Sequence, residues 1–541
     1  MQDLDPKEIP QRYRAYSRLT LFYPILLALA LAAGIYLGGR MNTVTPGSQK
    51  ETVSKLNSLL NLIEEHYVDK VDRSKLTEDA IREILDGLDP HSAYMSPEDA
   101  KQAREELSGK FGGVGIQFLV YKDTLTVTHV IPNGPSETAG IQAFDRIIEV
   151  DGKSMARKNI TTEDVFDRLR GDIGTEVKLK IMRPGQRKPL AFTITRDAIP
   201  VSTVEASIML DAQTGYIRLS QFGAQTYSDF LGAVHKLQKR GMSKLILDLR
   251  DNGGGYLDEA NKIADEFLES GKLIVYTEGE HSPRQTYKST QKGRLKDTPV
   301  AILVNHNTAS ASEIVSGAIQ DNDRGTIIGR RSFGKGLVQQ EMKPFNDGSS
   351  VRLTIARYYT PTGRCIQKPY GQGIDYEMEQ VERFEHNEFF VPDSSIFVDS
   401  LKFKTPKGKI VYGGGGIMPD VFVPIDTSGR SEYYTELLYS RVYSEFAFDF
   451  VERHKPQLNR YANADAFVKS FTVEDADLNL LYALAERQGI KFRTAEANHS
   501  KGLIIQQLKA EIARLIWNAD GYYSVIMQRD ADVRKALEVL K

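Results

Sequence analysis

Between residues 198 and about 426, short apolar runs alternate with stretches of helical spacing, and this alternation constrains the fold more than any other feature. Apolar runs bounded by turn residues are typical of buried strands, and apolar positions three and four apart are typical of helices. Strands that alternate with helices predict an α/β fold. The predicted strands are Tyr216–Leu219, Leu245–Leu249, Leu273–Tyr276, Val300–Val304 and Thr326–Ile328, and the predicted helices are Tyr227–Lys239, Leu257–Leu268 and Ser312–Gln320.

The composition fits an ordinary globular chain of several domains. Its 541 residues suggest three or four domains, and 26% are charged and 41% hydrophobic. The net charge of −2 supplies no global field to recruit nucleic acid. The single cysteine, Cys365, excludes intrachain disulfides and cysteine-rich metal sites.

The N-terminus contains an uncharged apolar run, residues 19–37. Its length is close to the roughly 20 residues that a helix needs to span a bilayer. Arg12, Arg14 and Arg18 precede the run and only Arg40 follows closely, so the positive-inside rule predicts a cytoplasmic segment 1–18 and an extracytoplasmic remainder. We expect an uncleaved signal anchor; the alternatives are a cleaved signal peptide, for which no clear cleavage site follows, and a buried core helix.

Helical spacing returns after a polar linker at residues 42–50. The spacing of Leu56, Leu59, Leu60 and Ile63 predicts a helix within an N-terminal helical region, residues 51–108. The Leu88-Asp-Pro-His-Ser segment interrupts this region. Residues 427–541 are polar with helical spacing and predict a C-terminal helical region. The segment from about residue 368 to 405 gives no interpretable pattern.

Ser310, Lys335 and Gln339 form the strongest candidate site. A serine hydroxyl needs a neighbouring base to act as a nucleophile, and a lysine whose pKa is lowered by burial can be that base. Small residues around Ser310 and glycines on both sides of Lys335 let a substrate backbone approach. Gln339, four residues beyond the lysine, can accept a hydrogen bond from the amine, which would give a Ser-Lys dyad with an orienting third residue.

Two simpler interpretations compete with this one. Ser310, with Glu313 three positions later, also fits a helix capping box. Ser310 can be a helix cap and a nucleophile at the same time. The segment from Gly329 to Gly336 nearly matches a phosphate-binding P-loop, but glycine stands where the loop needs a serine or threonine to bind magnesium. Nucleotide binding is therefore rejected, and neither a cofactor nor a metal is expected.

The motifs around Ser310 and Lys335 resemble those of the C-terminal processing, or tail-specific, serine proteases. The chain has T-A-S-A-S-E at 308–313, where the family usually has S-A-S-A-S-E, and F-G-K-G at 333–336. The resemblance implies that Ser310 is the nucleophile, Lys335 the base and Gln339 its partner, on a crotonase-like α/β protease core at residues 198–426. In the loop from Asp248 to Gly255, glycine replaces the family's usual proline at position 253. We expect oxyanion donors at the amides of Gly254 or Gly255 and of Ala311.

Residues 109–197 resemble a PDZ domain. A glycine-rich loop, a strand, an N-G-P-S turn, a short helix and a D-R-I-I-E-V-D-G segment follow one another in the order of that domain. Such domains hold a peptide C-terminus on backbone amides, here expected at Gly113, Val114, Gly115 and Ile116. Arg168 and Arg170 are either sensors of a bound peptide or solvated helix residues.

The sequence therefore predicts a membrane-anchored serine endopeptidase that cleaves proteins recognised by apolar C-terminal tails. We expect its catalytic domain in the periplasm or another extracytoplasmic compartment, and a homodimer through the terminal helical regions is a further expectation. The alternatives are an inactive PDZ adaptor on the same fold, an enzyme whose nucleophile is Ser312, and a crotonase-type acyl-CoA enzyme, which would need neither the PDZ domain nor the Ser-Lys pair.

Overall fold

The structure is a computed structural model that describes residues 28, 31–32, 47–156, 160–342, 345–371, 373–392 and 398–541. The predicted membrane-spanning segment, residues 19–37, lies outside the described residues apart from three positions. Among the helices that are described, none combines the length and the apolar character needed to cross a bilayer.

The chain divides into two units, of which the first ends at Leu85. From residue 47 onward, its helices are α1 (Gly47–His66) and α2 (Arg73–Asp86), the latter crossing the boundary by one residue. The Arg73 guanidinium at the start of α2 donates to Asn61 and Glu64 of α1, each at 2.7 Å. Leu56 and Leu59, which define the predicted helical spacing, are both exposed.

The second unit opens with a short strand and a helix, so the region predicted as helical up to residue 108 also contains β structure. The strand is β1 (Ala93–Met95) and the helix is α3 (Pro97–Ser108). Ser96 caps α3 through the amide of Asp99, and Pro97 occupies the first helical position, where its missing N–H costs nothing.

The next 90 residues fold as a separate β domain, which we call the PDZ-like domain (residues 109–197). Strands β2 and β9 pair antiparallel where the chain enters and leaves it, and the inner sheet has the order β3-β4-β5-β7-β8 with β6 on β5. Its core is a cluster of its own around Val127, Ile147 and Val177. Its elements are β2 (Lys110–Gly113), β3 (Ile116–Tyr121), β4 (Thr124–Val130), α4 (Pro135–Ala139), β5 (Arg146–Val150), β6 (Lys153–Ser154), α5 (Thr162–Leu169), β7 (Glu176–Met182), β8 (Leu190–Thr195) and β9 (Asp197–Pro200).

The centre of the second unit is a six-stranded sheet of order β10-β11-β12-β15-β16-β21, parallel from β11 onward. Val300–Val304 is wholly buried, as expected for a parallel strand covered on both faces. Helices α6, α7 and α8 contribute to the core on one face. These elements are β10 (Val204–Met209), β11 (Thr214–Leu219), α6 (Thr226–Gln238), β12 (Lys244–Asp248), α7 (Leu257–Asp265), β15 (Val300–Val304), α8 (Ala311–Asp321), β16 (Thr326–Gly329) and β21 (Val421–Phe422).

A second, antiparallel sheet has the order β1-β18-β13-β14, with β17 also on β18. The predicted strand Leu273–Tyr276 belongs to this sheet, because its partners come from β14 and β18. Alternation along the chain could not show that one strand leaves the parallel sheet. The strands are β13 (Leu273–Gly279), β14 (Ser282–Lys288), β17 (Leu337–Glu341) and β18 (Ser350–Tyr359).

In the segment that gave no pattern, about 368–405, the described residues form little regular structure but contain a buried ion network. Lys368 is 2% exposed, pairs with Glu379 at 3.0 Å, and lies over the ring of Phe333 at 4.2 Å. Its elements and those that follow are α9 (Glu379–Glu385), a 3-10 turn (Asp399–Leu401), β19 (Lys402–Lys404) and β20 (Ile410–Tyr412).

The C-terminal region is helical, as predicted, and it packs on two partners that the sequence did not indicate. Val533 and Ala536 of the last helix cover the second face of the six-stranded sheet. Phe448 packs between the rings of Tyr121 and Phe144 in the PDZ-like domain. The helices are α10 (Glu432–Tyr439), α11 (Val442–Leu458), α12 (Ala464–Ser470), α13 (Asp475–Arg487), α14 (Thr494–His499), α15 (Lys501–Ile526, broken at Trp517–Asn518) and α16 (Ala531–Val539).

Candidate active site

Ser310 stands at a sharp turn between β15 and α8. Its backbone angles, φ 56° and ψ −116°, lie in a region that residues other than glycine rarely adopt. Such a conformation costs about 1–3 kcal/mol and persists only where the surroundings impose it. A strained turn between a strand and a helix raises a serine side chain above the sheet edge, as a nucleophile requires.

The carboxylate of Glu313 connects the segment of Ser310 with that of Lys335. It accepts the backbone N–H groups of Ser310 at 2.8 Å, Gly334 at 2.8 Å and Lys335 at 2.9 Å. The Ser332 hydroxyl, which itself accepts the Ile417 amide, is a fourth donor at 2.5 Å. Burial raises the pKa of Glu313, and these hydrogen bonds oppose that shift. One fully buried side chain thus fixes both segments of the predicted dyad.

Lys335 is largely buried, and its amine donates to Gln339 Oε1 at 3.0 Å. This is the contact that the four-residue spacing predicts. Burial lowers the pKa of Lys335, the positive charge of Arg352 lowers it further, and Glu313 and Asp89 oppose the shift. A lowered pKa makes a lysine a better candidate base, because a larger fraction of the amine is then neutral at a given pH.

Tyr358 of β18 ties the same two segments together from the other side. Its hydroxyl lies 2.7 Å from the carbonyl oxygen of Lys335 and 3.1 Å from that of Ser310. The side chain is fully buried, and burial raises its pKa well above the usual value, so it remains a neutral donor. Tyr358 therefore helps to set the position of the lysine relative to the serine.

The glycine loop after β12 approaches Ser310 closely. A Cβ on Gly254, whose φ is +101°, would lie 2.8 Å from Ser310 Cβ and 2.9 Å from the Ala311 nitrogen. The Gly254 amide donates to Asn252 Oδ1 at 2.9 Å. Within the described part of the chain, the amides of Gly255 and Ala311 have no partner. Of the two glycines considered for an oxyanion donor, the geometry favours Gly255.

A cavity of about 870 Å³ lies between these segments, and Glu313 stands behind its wall rather than in it. Ser310, Lys335 and Gln339 line it, together with the glycine loop. Its walls also include apolar side chains from α3, α8 and β17, namely Leu107, Ile314, Leu337 and Val338. The volume is sufficient for several residues of an extended peptide.

Arg250 anchors the start of the glycine loop in a buried ion network. It pairs with Asp248 at 2.6 Å and with Asp530 and Asp532 of the C-terminal region, each at 2.8 Å. Burial alone would raise the pKa of Asp248, but Arg250 and Arg218 hold it below its usual range. Asp248 and Arg250 therefore connect the start of the glycine loop to the end of the chain.

Ser312 occupies a different environment from Ser310. Its side chain is fully buried and donates to the carbonyl oxygen of Asn252 at 3.0 Å. It does not line the cavity. This placement disfavours Ser312 as a nucleophile.

In the PDZ-like domain, the predicted peptide cradle is the turn between β2 and β3. Among the residues described, the amides of Val114 and Gly115 have no partner, and Gly115 has a φ of +78°. Arg168 donates to the Ser154 carbonyl oxygen, and the Arg170 guanidinium lies 4.1 Å from the centre of the Phe166 ring. The structure thus gives both arginines protein contacts.

Sequence reasoning missed three residues that shape the site. The sequence analysis treats Glu313 only as a capping residue and singles out neither Tyr358 nor Arg352. The first two left a signal, since a glutamate and a tyrosine inside segments of small and apolar residues need partners when they are buried. The effect of Arg352 on Lys335 depends on how β17 pairs with β18, so the sequence contains no signal for it.

Four family models match the chain. Peptidase family S41 matches residues 213–379, and a PDZ domain matches residues 126–183. The N-terminal domain of the activating protease CtpB matches residues 39–99. Residues 433–518 match a family of unknown function, DUF8443.

Curated relatives cover most of the same span. A carboxy-terminal-processing protease of Bartonella bacilliformis is 38% identical over 362 aligned residues, and the match covers 64% of this chain and 81% of the relative. The carboxy-terminal processing protease CtpA of Bacillus subtilis is 34% identical over 65% of this chain and 75% of its own length. Among solved structures, a photosystem II D1 C-terminal processing protease is 27% identical, with a TM-score of 0.34, over 68% of this chain and 91% of that one.

Proposed function

Because this chain belongs to peptidase family S41, and its relatives are carboxy-terminal processing proteases with a PDZ domain, we propose that it hydrolyses peptide bonds with a Ser310–Lys335 dyad. The observation that supports this most directly is the shared anchoring of the two segments. Glu313 holds the backbones of Ser310 and Lys335, and the cavity exposes both side chains.

In the proposed reaction, neutral Lys335 removes the proton from the Ser310 hydroxyl as its oxygen attacks the scissile carbonyl carbon. The amides of Gly255 and Ala311 stabilise the resulting oxyanion. The lysine then donates its proton to the leaving amine, which departs as the new N-terminus of the released fragment. A water molecule, deprotonated by Lys335, attacks the acyl ester and regenerates the serine. Gln339 keeps the lysine amine directed into the cavity.

The substrates that we propose are proteins with apolar C-terminal tails, recognised on the PDZ-like domain. The unpartnered amides of Val114 and Gly115 support this, since a peptide carboxylate needs such donors. Anchoring by residues 19–37, an extracytoplasmic catalytic domain and a homodimer remain proposals that rest on the sequence.

The test compares the chain with its Ser310→Ala, Lys335→Ala and Ser312→Ala variants on an unfolded protein that ends in apolar residues. Loss of cleavage in the first two variants alone supports the dyad. Ser312→Ala is the matched control, because it removes a buried hydroxyl that does not reach the cavity. Cleavage that survives in Lys335→Ala would refute the proposed base. An intact chain that binds the tail without cleaving it would instead favour the adaptor.

A further inference from the structure

A second cavity, of about 740 Å³, lies where the C-terminal helices meet the six-stranded sheet. It shares no lining residue with the catalytic cavity. Its walls come from the linker at residues 424–430, the first turns of α15 and the start of α16. Five arginines line it: Arg250, Arg330, Arg430, Arg529 and Arg534.

The two buried arginines of this cavity are neutralised by the protein itself. Arg250 is paired with Asp248, Asp530 and Asp532, as described above. Arg330 pairs with Asp532 at 3.0 Å and donates to the Val423 carbonyl oxygen at 2.9 Å. The paired Arg250 and Arg330 form the floor of the cavity, and their charges need no further counter-ion.

The three exposed arginines are different. In the part of the chain that is described, the side chains of Arg430, Arg529 and Arg534 make no ion pair or hydrogen bond. The acid beside them is Asp426, which accepts the amide and hydroxyl of Ser428; these bonds and then Arg534 and Arg430 lower its pKa. The other two aspartates of the lining, Asp530 and Asp532, already pair with Arg250 and Arg330, so among the described residues Asp426 is left to face the three guanidinium groups, and the rim keeps an excess of positive charge.

Two further features favour an anion at this rim. A Cβ on Gly502 would lie 2.8 Å from Arg529 Nη1, so that guanidinium lies against the first turn of α15. The start of a long helix carries a partial positive charge and free N–H groups. Apolar side chains also reach the cavity, among them Ile425 and Leu503, and these can cover the organic part of a ligand.

We propose that this cavity binds a phosphate ester, with its phosphate on Arg430, Arg529 and Arg534 and its organic part against the apolar wall. A phosphate monoester carries nearly two negative charges and three terminal oxygens, which match three guanidinium groups. The volume is typical of sites for small molecules or lipid headgroups. The site is separate from the dyad and does not depend on the proposed peptidase activity.

The test is titration calorimetry of the full chain with phenyl phosphate and with glycerol phosphate at constant ionic strength. The first ester carries an aromatic group and the second the polar glycerol of a lipid headgroup, so the tighter one shows which kind of organic part the apolar wall accepts. Phenol is the uncharged control. We expect saturable binding of at least one ester and none of phenol.

Substitutions at the rim should change the affinity for the ester in opposite directions. Arg529→Gln and Arg430→Gln should each weaken binding about tenfold, the effect of one charge-assisted hydrogen bond. Asp426→Asn should tighten it several-fold, because a repelling charge is removed. Arg487→Gln, which changes an exposed arginine of α13 outside the cavity, should leave the affinity unchanged. No saturable binding of either ester, or an unchanged affinity in Arg529→Gln, would overturn the proposal.

Discussion

At the scale of single residues, the candidate site depends on how charge is distributed around one amine. Burial and Arg352 favour neutral Lys335, while Glu313 and Asp89 favour its charged form. The sequence predicted the contact between Lys335 and Gln339, which the structure contains, because a short motif fixes local spacing; Ser310 as nucleophile and Lys335 as base stay predictions. It could not predict Arg352, whose approach to the lysine depends on strand pairing far along the chain.

Arg352→Gln should shift the pH dependence of acylation upward. A lysine base works when it is neutral, so the rate rises with pH through the lowered pKa of Lys335. Removing a positive neighbour stabilises the ammonium and raises that pKa. The rate at neutral pH should therefore fall and recover at higher pH. The measurement is the rate at which an acylating inhibitor labels Ser310 between pH 5 and about 10, a range chosen to bracket perturbed lysines.

Arg357→Gln is the matched control for this experiment. It removes an arginine from the same strand, but Arg357 does not contribute to the pKa shift of Lys335. Its pH profile should match that of the unaltered chain. A profile of Arg352→Gln that keeps its midpoint would contradict the role assigned to Arg352.

Glu313→Gln should abolish acylation and also lower stability. A neutral amide cannot accept all four donors, and each buried N–H left without a partner costs about 1–3 kcal/mol. Glu266→Gln is the control: Glu266 is equally buried but binds Tyr227 and the amide of Arg294, which lie outside the cavity. Both variants should melt at lower temperature, and only Glu313→Gln should fail to label Ser310. Normal labelling of Glu313→Gln would show that the anchoring has no part in activity.

At the scale of elements, the glycine loop after β12 is shaped by the turn that carries Ser310. The sequence showed a strand, a glycine-rich turn and a helix, and the structure adds that Gly254 is in contact with the serine turn. Sequence patterns report spacing along one segment. They could not show which of two adjacent glycines keeps a free amide, because that depends on the Asn252 side chain.

Gly254→Ala should lower the peptide cleavage rate by at least about a hundredfold, an effect comparable to the loss of one oxyanion donor. The added methyl would strain a positive φ and cover the Ala311 amide. Gly253→Ala is its neighbour and control, since a Cβ there meets nothing within 4 Å. Peptide cleavage rates of the two variants measure the difference. Equal rates would mean that this close approach does not matter for catalysis.

At the scale of the whole molecule, the C-terminal helices pack on both the PDZ-like domain and the six-stranded core, which the sequence patterns indicate only as separate domains. The alternation of strands and helices in the α/β core follows from patterns that are local in sequence, whereas the order of its strands does not. The docking of Phe448 on Tyr121 and Phe144 pairs positions more than 300 apart in the sequence, and a polar helical stretch does not reveal such partners. Tyr121 and Lys122 also contact Asp449 beside it.

Phe448→Ala should weaken the packing between the PDZ-like domain and the C-terminal helices, while the six-stranded core keeps its stability. Truncating a buried phenylalanine costs about 3–5 kcal/mol, and here the loss falls on one interface. Hydrogen exchange should accelerate in residues around Tyr121 and Phe144. Tyr439→Ala, which alters a side chain that is 87% exposed, should leave exchange unchanged. Unchanged exchange in Phe448→Ala would show that the domain is held elsewhere.

The ion network of Arg250 also sets an order of events during synthesis. Ser310 and Lys335 emerge from the ribosome about 200 residues before Asp530 and Asp532, which is roughly ten seconds or more of translation. Throughout that interval, the arginine beneath the glycine loop lacks two of its three carboxylate partners. The site therefore acquires its full support only after the nascent chain has extended past these aspartates.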